Sequence, residues 1–278
     1  MAKLTFRALL GEMAYAITLR ATAQADDCIA PPTLSAGWDF TCRQIGRIMQ
    51  ELGVIPGTLQ VTNMAGSGVA CTHVVSERGT DAGLIVAASC VMTIRLAQKA
   101  FADMTAGQVR WLGALSGDPG VIAVAKDSPC QTLNDRIGAV KADPLAISFA
   151  GGSVLGGFDH LKVLIEMDRA GFEETKAINY IDRNCGADAI ARTVGGFSTA
   201  MTGDLTEIQG FIKSGDARAL AVLSDAQVSG FDEIPTAREQ GVVLVGMNWR
   251  GLYVPKGISD ANSQKWVDAL TDAAESEQ

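Results

Sequence analysis

Short hydrophobic runs alternate along the chain with segments whose apolar residues recur every three or four positions. The runs predict β-strands, and the periodic segments predict helices with one apolar face. Strands are predicted at 59–62, 84–87, 146–149, 177–180, 218–223 and 249–255. Helices are predicted at 187–194, near 39–52 with Ile45, Ile48, Met49 and Leu52 on one face, and around Leu161, Leu164 and Ile165. This alternation predicts an α/β fold built on parallel sheets.

Turns of small residues mark the ends of several predicted strands. Five such turns open onto predicted helices, in stretches that start at Cys28, Val61, Leu84, Ile147 and Thr199. A turn without bulky side chains exposes backbone N–H groups at the positive end of a helix dipole, where anions bind. Ligands of open α/β sheets lie beyond the carboxyl ends of the strands. We therefore expect these helix N-termini to face one cleft and to hold a multiply charged anion.

The strand and helix rhythm of the first half returns in the second half, which predicts two lobes. A chain of 278 residues has room for two α/β domains of roughly 100 to 150 residues each. We expect residues 26–124 and 249–278 to form lobe I and residues 125–248 to form lobe II. The runs Gly120–Ala125 and Trp249–Pro255 are predicted to cross between the lobes as a hinge.

Composition and motifs exclude several function classes. A net charge of −8 without a basic stripe argues against a nucleic-acid partner. No segment after the N-terminal region is apolar for long enough to span a membrane. The dinucleotide, Walker and nucleophile-elbow patterns are incomplete at Gly66–Cys71, Gly151–Phe158 and Ser153. With two histidines and no zinc-type cysteine spacing, the chain predicts no enzyme, cofactor or metal site.

The N-terminus and the cysteines bear on location. Lys3 and Arg7 precede an apolar stretch, and a small-x-small motif ends at Ala25, which predicts a signal peptide over residues 1–25 and export to the periplasm. Because Glu12 interrupts that stretch, an amphipathic first helix is the alternative. Cys28 and Cys42 flank the first small-residue turn, so they would form a disulfide in an oxidising compartment. The alternative is six buried free thiols.

Nine stretches resemble a known family, namely GWDFTCRQIGRIM, VTNMAGSG, LIVAAS, TIRLAQK, FAGGSVLGGFDHLKVL, TGDLTE, RALAVLSD, IPTAREQG and NWRGLYVP. Over most of residues 26–270 the chain resembles the extracytoplasmic receptors of the tripartite tricarboxylate transporters. The resemblance implies a two-lobed type II periplasmic-binding-protein fold with a hinge and a central cleft. It also implies a monomer that captures a citrate-like di- or tricarboxylate and delivers it to a membrane permease.

In this family backbone amides of the turns hold the ligand carboxylates. The resemblance therefore implies five ligand-binding turns, formed by Ser35, Ala36, Gly37, Trp38 and Asp39; by Gly66, Ser67 and Gly68, after Ala65; by Ala88 and Ser89; by Gly152 and Ser153; and by Thr202, Gly203 and Asp204. Asp39 and Asp204 are expected to cap helices rather than to oppose the ligand.

Three charged or titratable residues are further candidates for ligand contact. Arg95 follows the third turn, and Arg250 lies in a predicted hinge strand where a charge is unusual unless it is paired or faces the cleft. For both arginines the alternative is an internal salt bridge. His160 follows the fourth turn, with helix capping or a surface position as its alternative, whereas His73 is expected to be a packed or surface residue.

The chain also departs from the family pattern. Its first turn reads PPTLSAG where relatives carry more glycine, so Cβ atoms stand where a ligand carboxylate would approach the backbone. The stretch YIDRNCGAD replaces a more glycine-rich one, and relatives continue beyond Gln278. Two alternative functions follow: a cytosolic α/β enzyme acting on a small anionic substrate, and a truncated relative that binds nothing.

Overall fold

The computed structural model describes residues 25–31, 37–64 and 66–276 of the chain. These residues form nine strands and eight α-helices in an alternating order. The strands are β1 Asp27–Ala30, β2 Gln60–Asn63, β3 Leu84–Ser89, β4 Val109–Ala125, β5 Ser148–Gly151, β6 Asn179–Asp182, β7 Ala200–Asp204, β8 Ala217–Leu223 and β9 Met247–Pro255. The helices are α1 Gly37–Glu51, α2 Ser67–Glu77, α3 Cys90–Ala97, α4 Leu133–Ala142, α5 Phe158–Arg169, α6 Gly186–Val194, α7 Leu205–Lys213 and α8 Asp260–Glu275.

The strands follow the order β2-β1-β3-β9-β4-β7-β5-β6, with β8 paired to β4. Strands β1, β2 and β3 are parallel, and so are β5, β6 and β7, as the alternating pattern predicts. In contrast, β4 is antiparallel to β7, β8 and β9. The expectation of purely parallel sheets is therefore wrong at β4 and β9, because these strands pass between the lobes without the crossover helix that a parallel connection needs.

Two neighbouring strands join the lobes. Residues 109–119 of β4 pair with β9, whereas residues 120–125 pair with β7 and β8 of the other lobe. The register of β4 against β9 shifts between Trp111 and Gly113 and again between Ala114 and Ser116. The predicted crossover at Gly120–Ala125 is thus the end of a longer strand that begins at Val109. Its first part escaped prediction because the segment around Gly117–Pro119 interrupts the apolar pattern.

A disulfide between Cys28 and Cys42 joins β1 to α1, with the two Cα atoms 5.9 Å apart. The predicted bridge is therefore confirmed, and the alternative of six free thiols is wrong. Among the other cysteines, Cys71, Cys90 and Cys130 are buried and Cys185 is exposed. The bridge holds the first helix against the first strand, and this fixes the direction in which the start of α1 points.

Helix α1 begins at Gly37, so Asp39 lies inside its first turn. The buried Asp39 carboxylate accepts hydrogen bonds from Asn63 Nδ2 at 2.9 Å and from Arg43 Nε at 3.0 Å. The capping role predicted for Asp39 stays a prediction, and a carboxylate in a first helical turn interacts favourably with the dipole. At the other end of the chain, Trp266 and Leu270 of α8 enter the same core as Ile45 and Met49 of α1.

Helix α5 buries a different face from the predicted one. Lys162, Val163, Glu166 and Met167 are buried, whereas Ile165 is exposed. Glu166 forms an ion pair with the buried Arg136, and Lys162 pairs with two carboxylates described below. The apolar periodicity indicated the wrong face because the interior of this lobe accepts charged side chains that are paired with one another.

Candidate functional site

A cleft of about 1070 Å³ lies between the two lobes. From lobe I the walls come from the starts of α1 and α2 and from α3 and the loop after it. From lobe II they come from the β5–α5 loop and the starts of α5, α6 and α7, while β9 contributes Asn248 and Arg250 at the base. Charged and titratable residues on its walls are His73, Glu77, Arg95, Asp159, Cys185, Asp204, Glu207 and Arg250.

Ten of the predicted site residues line this cleft. They are Gly37, Trp38, Gly66, Ser67, Gly68, Arg95, Gly152, Ser153, Asp204 and Arg250. The structure therefore brings the first, second, fourth and fifth turns together on one cavity. Ligand contact by these residues stays a prediction, and Ser35 and Ala36 lie outside the described residues.

Six predicted positions do not line the cleft. Asp39, Ala88, Ser89, Thr202 and Gly203 are buried, and His160 lies behind the fourth turn. The Ser89 hydroxyl accepts a hydrogen bond from Val91 N at 3.2 Å and so caps α3. The Thr202 hydroxyl donates to the Asp159 carbonyl at 3.2 Å. The third turn therefore ends its strand inside the protein and builds the start of α3 rather than the cavity wall.

His160 supports the fourth turn. Its Nδ1 accepts a hydrogen bond from Gly156 N at 2.9 Å, and its ring lies 4.6 Å from the ring of Tyr180. Burial lowers the pKa of His160, which favours the neutral imidazole that can accept this bond. The structure therefore shows His160 stabilising the turn before α5, and ligand contact by His160 stays a prediction.

Glycine is required at two turns on the cleft. Gly66 precedes α2 with a φ of 88°, a conformation that side chains other than glycine rarely adopt. Gly152 packs so closely on the start of α6 that a Cβ there would lie 2.5 Å from Gly186 N. The positive φ of Gly66 within lobe I and the close packing of Gly152 within lobe II present helix starts to the cavity.

A chain of alternating charges lies along the lobe II wall. The buried Lys162 Nζ is 2.9 Å from Asp159 Oδ1 and 3.2 Å from Asp204 Oδ1, and it also donates to the Gly203 carbonyl. Burial by itself would lower the pKa of Lys162, but the two carboxylates outweigh it and raise the pKa above its ordinary value. Lys162 therefore stays charged and neutralises part of the acidic wall.

Asp204 occupies the N-cap position of α7, as predicted, and connects the lobe II wall with the hinge. Asn248 Nδ2 donates to Asp204 Oδ2, and Asn248 Oδ1 accepts a hydrogen bond from Cys90 Sγ at 2.9 Å. Arg250 Nη2 lies 3.6 Å from Asp204 Oδ2. The two interpretations of Arg250 are thus compatible, since it forms an internal ion pair and also lines the cleft.

Arg250 also reaches the first helix. A Cβ placed on Gly37 would lie 3.0 Å from Arg250 Nη2. The guanidinium therefore sits between the start of α1 in lobe I and the Asp204 carboxylate in lobe II. Opening of the cleft has to change at least one of these two contacts.

Arg95 is held differently from Arg250. Its Nη1 donates to Gln98 Oε1 at 2.9 Å, and Gln98 Nε2 donates to the Gly156 carbonyl of lobe II at 2.7 Å. Within the described part of the chain Arg95 forms no ion pair. Between the predicted alternatives, the structure therefore supports a cleft-lining arginine rather than an internal salt bridge.

Glu207 is the principal cleft residue that sequence reasoning missed. Its carboxyl oxygens lie 3.2 Å from Gly186 N and 3.2 Å from Asp204 N, at the starts of α6 and α7. Burial, with a further contribution from Asp204 and Asp159, raises the pKa of Glu207 to about 7. The spacing of Asp204 and Glu207, which is that of a capping box, is a sequence signal for the start of α7 but not for the cavity. The described residues contain no cluster of histidine, cysteine and carboxylate side chains suited to a metal ion.

Two hinged lobes with a cleft between them define the class of solute-binding receptors. The chain belongs to the TctC family, the tripartite tricarboxylate transporter family receptors, whose family model matches residues 47–277. It is also 26% identical to Protein BugT of Bordetella pertussis over 234 residues, which cover 82% of this chain and 70% of that protein. The resemblance seen in the sequence is confirmed, and because the family consists of transport receptors, the enzyme alternative is wrong.

Solved structures confirm the two-lobed fold. A TctC solute-binding protein from Polaromonas is similar with a TM-score of 0.73 and 21% identity, over 92% of this chain and 86% of that chain. MatC from Rhodopseudomonas palustris, solved with bound malate, has a TM-score of 0.78 and 16% identity, over 92% of this chain and 86% of that chain. R. palustris Rpa4515 with adipate has a TM-score of 0.77 and 18% identity, over 92% of this chain and 85% of that chain. No helix in the described part of this chain has the length and apolar character of a membrane span.

Proposed function

We propose that this receptor captures a citrate-like di- or tricarboxylate between its lobes and hands it to the membrane subunits of a tripartite tricarboxylate transporter. The observation that carries the proposal is the convergence of helix starts from both lobes on one cavity. The starts of α1 and α2 in lobe I face the start of α5 in lobe II, and Arg95 adds a cation without an ion-pair partner in the described residues. Such donors suit an anion with carboxylates at both ends.

The free energies of the available hydrogen bonds are consistent with reversible binding of the ligand. A hydrogen bond to a charged group contributes about 1.5 to 3 kcal/mol, and micromolar affinity needs about 8 kcal/mol after the cost of association. Several amide donors with one arginine reach this range without covalent chemistry. The similar structures that hold malate and adipate support a ligand with at least two carboxylates.

The place of action proposed is the periplasm. Receptors of this family are periplasmic, and the Cys28–Cys42 disulfide suits an oxidising compartment. The signal peptide predicted over residues 1–25 falls almost entirely outside the described residues. The lobe boundaries at 124 and 248 and the monomeric state also belong to this proposal.

Isothermal titration of the purified chain with citrate, malate, succinate and adipate tests the function. We expect at least one of these acids to bind with micromolar affinity and to raise the melting temperature, with the rise growing as the logarithm of the ligand concentration above Kd. Absence of binding across the whole panel, in a chain that melts cooperatively, would instead support the non-binding relative.

A further inference from the structure

Most charged side chains around the cleft form ion pairs with one another, and two of them do not. Asp159, Lys162, Asp204 and Arg250 alternate in sign and contact one another in sequence, at 2.9, 3.2 and 3.6 Å. Their charges cancel without a ligand. At the rim, Glu77 pairs with His73 at 3.1 Å. Among the described residues on the cavity wall, Arg95 and Glu207 then stand without an ion-pair partner, on opposite lobes.

The Glu207 carboxyl lies in a place shaped for it. A Cβ at Gly186 would overlap the carboxyl, and one at Gly203 would lie 3.2 Å from Glu207 Oε2. The amides of Gly186 and Asp204 hold its two oxygens at 3.2 Å each. The helix starts that could have received a ligand carboxylate in this corner are thus occupied by a carboxyl group of the protein itself.

From this geometry we infer that the receptor selects a dicarboxylate that also carries an ammonium group, with the ammonium facing Glu207 and a carboxylate facing Arg95. The inference rests on the proposed carboxylate-binding function and narrows its ligand. An ammonium donates hydrogen bonds to the lone pairs that the two amides leave free on the Glu207 oxygens. A ligand carboxylate in the same corner would meet a like charge, which is unfavourable in a partly desolvated site.

The raised pKa of Glu207 agrees with this arrangement. The charged groups facing it are Asp204 at the start of α7 and Asp159 and Lys162 on α5. Burial raises the pKa of Glu207 most, the two carboxylates raise it further, and Lys162 lowers it. A ligand ammonium would supply the missing positive charge and displace the proton from Glu207, whereas a ligand carboxylate would drive proton uptake.

Three acids of one carbon skeleton test the inference, because succinate, L-malate and L-aspartate differ in a single substituent. In titrations of the full chain at pH 7 we expect L-aspartate to bind about tenfold more tightly than succinate, with L-malate between them. Repeating the L-aspartate titration in buffers of different ionisation enthalpy should show proton release.

A Glu207→Gln variant keeps the shape of the side chain and removes its charge. We expect the preference for L-aspartate over succinate to fall to about threefold or less, mainly through weaker L-aspartate binding. Glu51→Gln is the matched control, since Glu51 lies on the exposed end of α1, away from the cleft, and pairs with Arg47. This control should keep the order of the three acids.

Equal binding of L-aspartate and succinate by the unmodified chain would overturn the inference and leave the carboxylate receptor intact. An unchanged preference in Glu207→Gln would also overturn it. Failure of all three acids to bind would overturn the inference, and failure of citrate and adipate as well would refute the proposed carboxylate-binding function. The wild-type comparison does not depend on how the variant folds.

Discussion

Gln98 Nε2 donates a hydrogen bond to the Gly156 carbonyl at 2.7 Å, and this bond joins the end of α3 in lobe I to the β5–α5 loop in lobe II. The same side chain accepts from Arg95 Nη1 through its Oε1 at 2.9 Å. One residue therefore couples the approach of the lobes to the position of a cleft arginine.

Replacement of Gln98 by alanine should weaken ligand capture. The variant loses one bond between the lobes and one bond that orients Arg95, each worth about 0.5 to 1.5 kcal/mol. We expect ligand dissociation to become about 5- to 150-fold faster, with little change in melting temperature, because Gln98 is exposed. Stopped-flow competition measures the rate. An unaltered dissociation rate would show that the bond does not stabilise the closed lobes.

Arg95→Gln should lower carboxylate affinity without harming the fold. Arg95 forms no ion pair in the described part of the chain, so its removal leaves no buried carboxylate unpaired. We expect a loss of about 10- to 100-fold in affinity, as for one charge-assisted contact. Titration calorimetry measures it, with Arg47→Gln on the exposed face of α1 as the control. Equal losses in both variants would mean that Arg95 acts only through the overall charge.

Lys162→Met should destabilise the protein strongly. Lys162 is buried and contacts both Asp159 and Asp204, so the variant leaves two carboxylates in a poorly solvated wall without their cation. The free energy of unfolding should fall by about 3 to 5 kcal/mol. Urea unfolding at pH 8 measures this, compared with Lys265→Met at an exposed position of α8. A loss no larger than that of Lys265→Met would contradict the pairing.

The free energy of unfolding should depend on pH through the titration of Glu207. Its pKa rises from an ordinary value of 4.5 to about 7 in the folded protein, so the folded state binds a proton more tightly than the unfolded state. The resulting stability is fully present below pH 4.5 and is lost as the pH rises to about 7, by up to about 3 kcal/mol. His160 contributes with the opposite sign, because burial lowers its pKa.

Comparison with Glu207→Gln isolates the Glu207 contribution, since His160 is common to both proteins. We expect the variant to gain stability relative to the unmodified chain as the pH rises from 4.5 to 8. Chemical unfolding at several pH values measures the difference. A difference that is constant over this interval would show that Glu207 titrates normally.

The fold was predictable where burial and apolar periodicity coincide. The strands Leu84–Ser89 and Ala217–Leu223 are almost wholly buried, and both were expected within a few residues. The prediction failed where polar residues are buried in pairs. Lys162 and Glu166 define the buried face of α5, yet a pattern based on apolar residues places that face at Leu161, Leu164 and Ile165.

The candidate site was predictable at its glycines and less so at its charges. Gly66 and Gly152 mark turns that line the cleft, and a turn of small residues is visible in a sequence. The third turn gave the same signal but is buried, because Ser89 and Ala88 lie inside β3. Glu207 could not be assigned to the cavity from its sequence position, since its place depends on how α6 and α7 meet.

The long strand β4 determines how the receptor can move. Its 17 residues belong to both sheets, and it stays hydrogen-bonded to β9 through the crossing. Separation of the lobes is therefore a torsion of a two-stranded ribbon rather than the swing of a loose tether. The register of β4 against β9 shifts near Gly113 and Ser116, within this ribbon. Opening of the empty receptor would therefore twist paired backbone, and the two strands limit its extent.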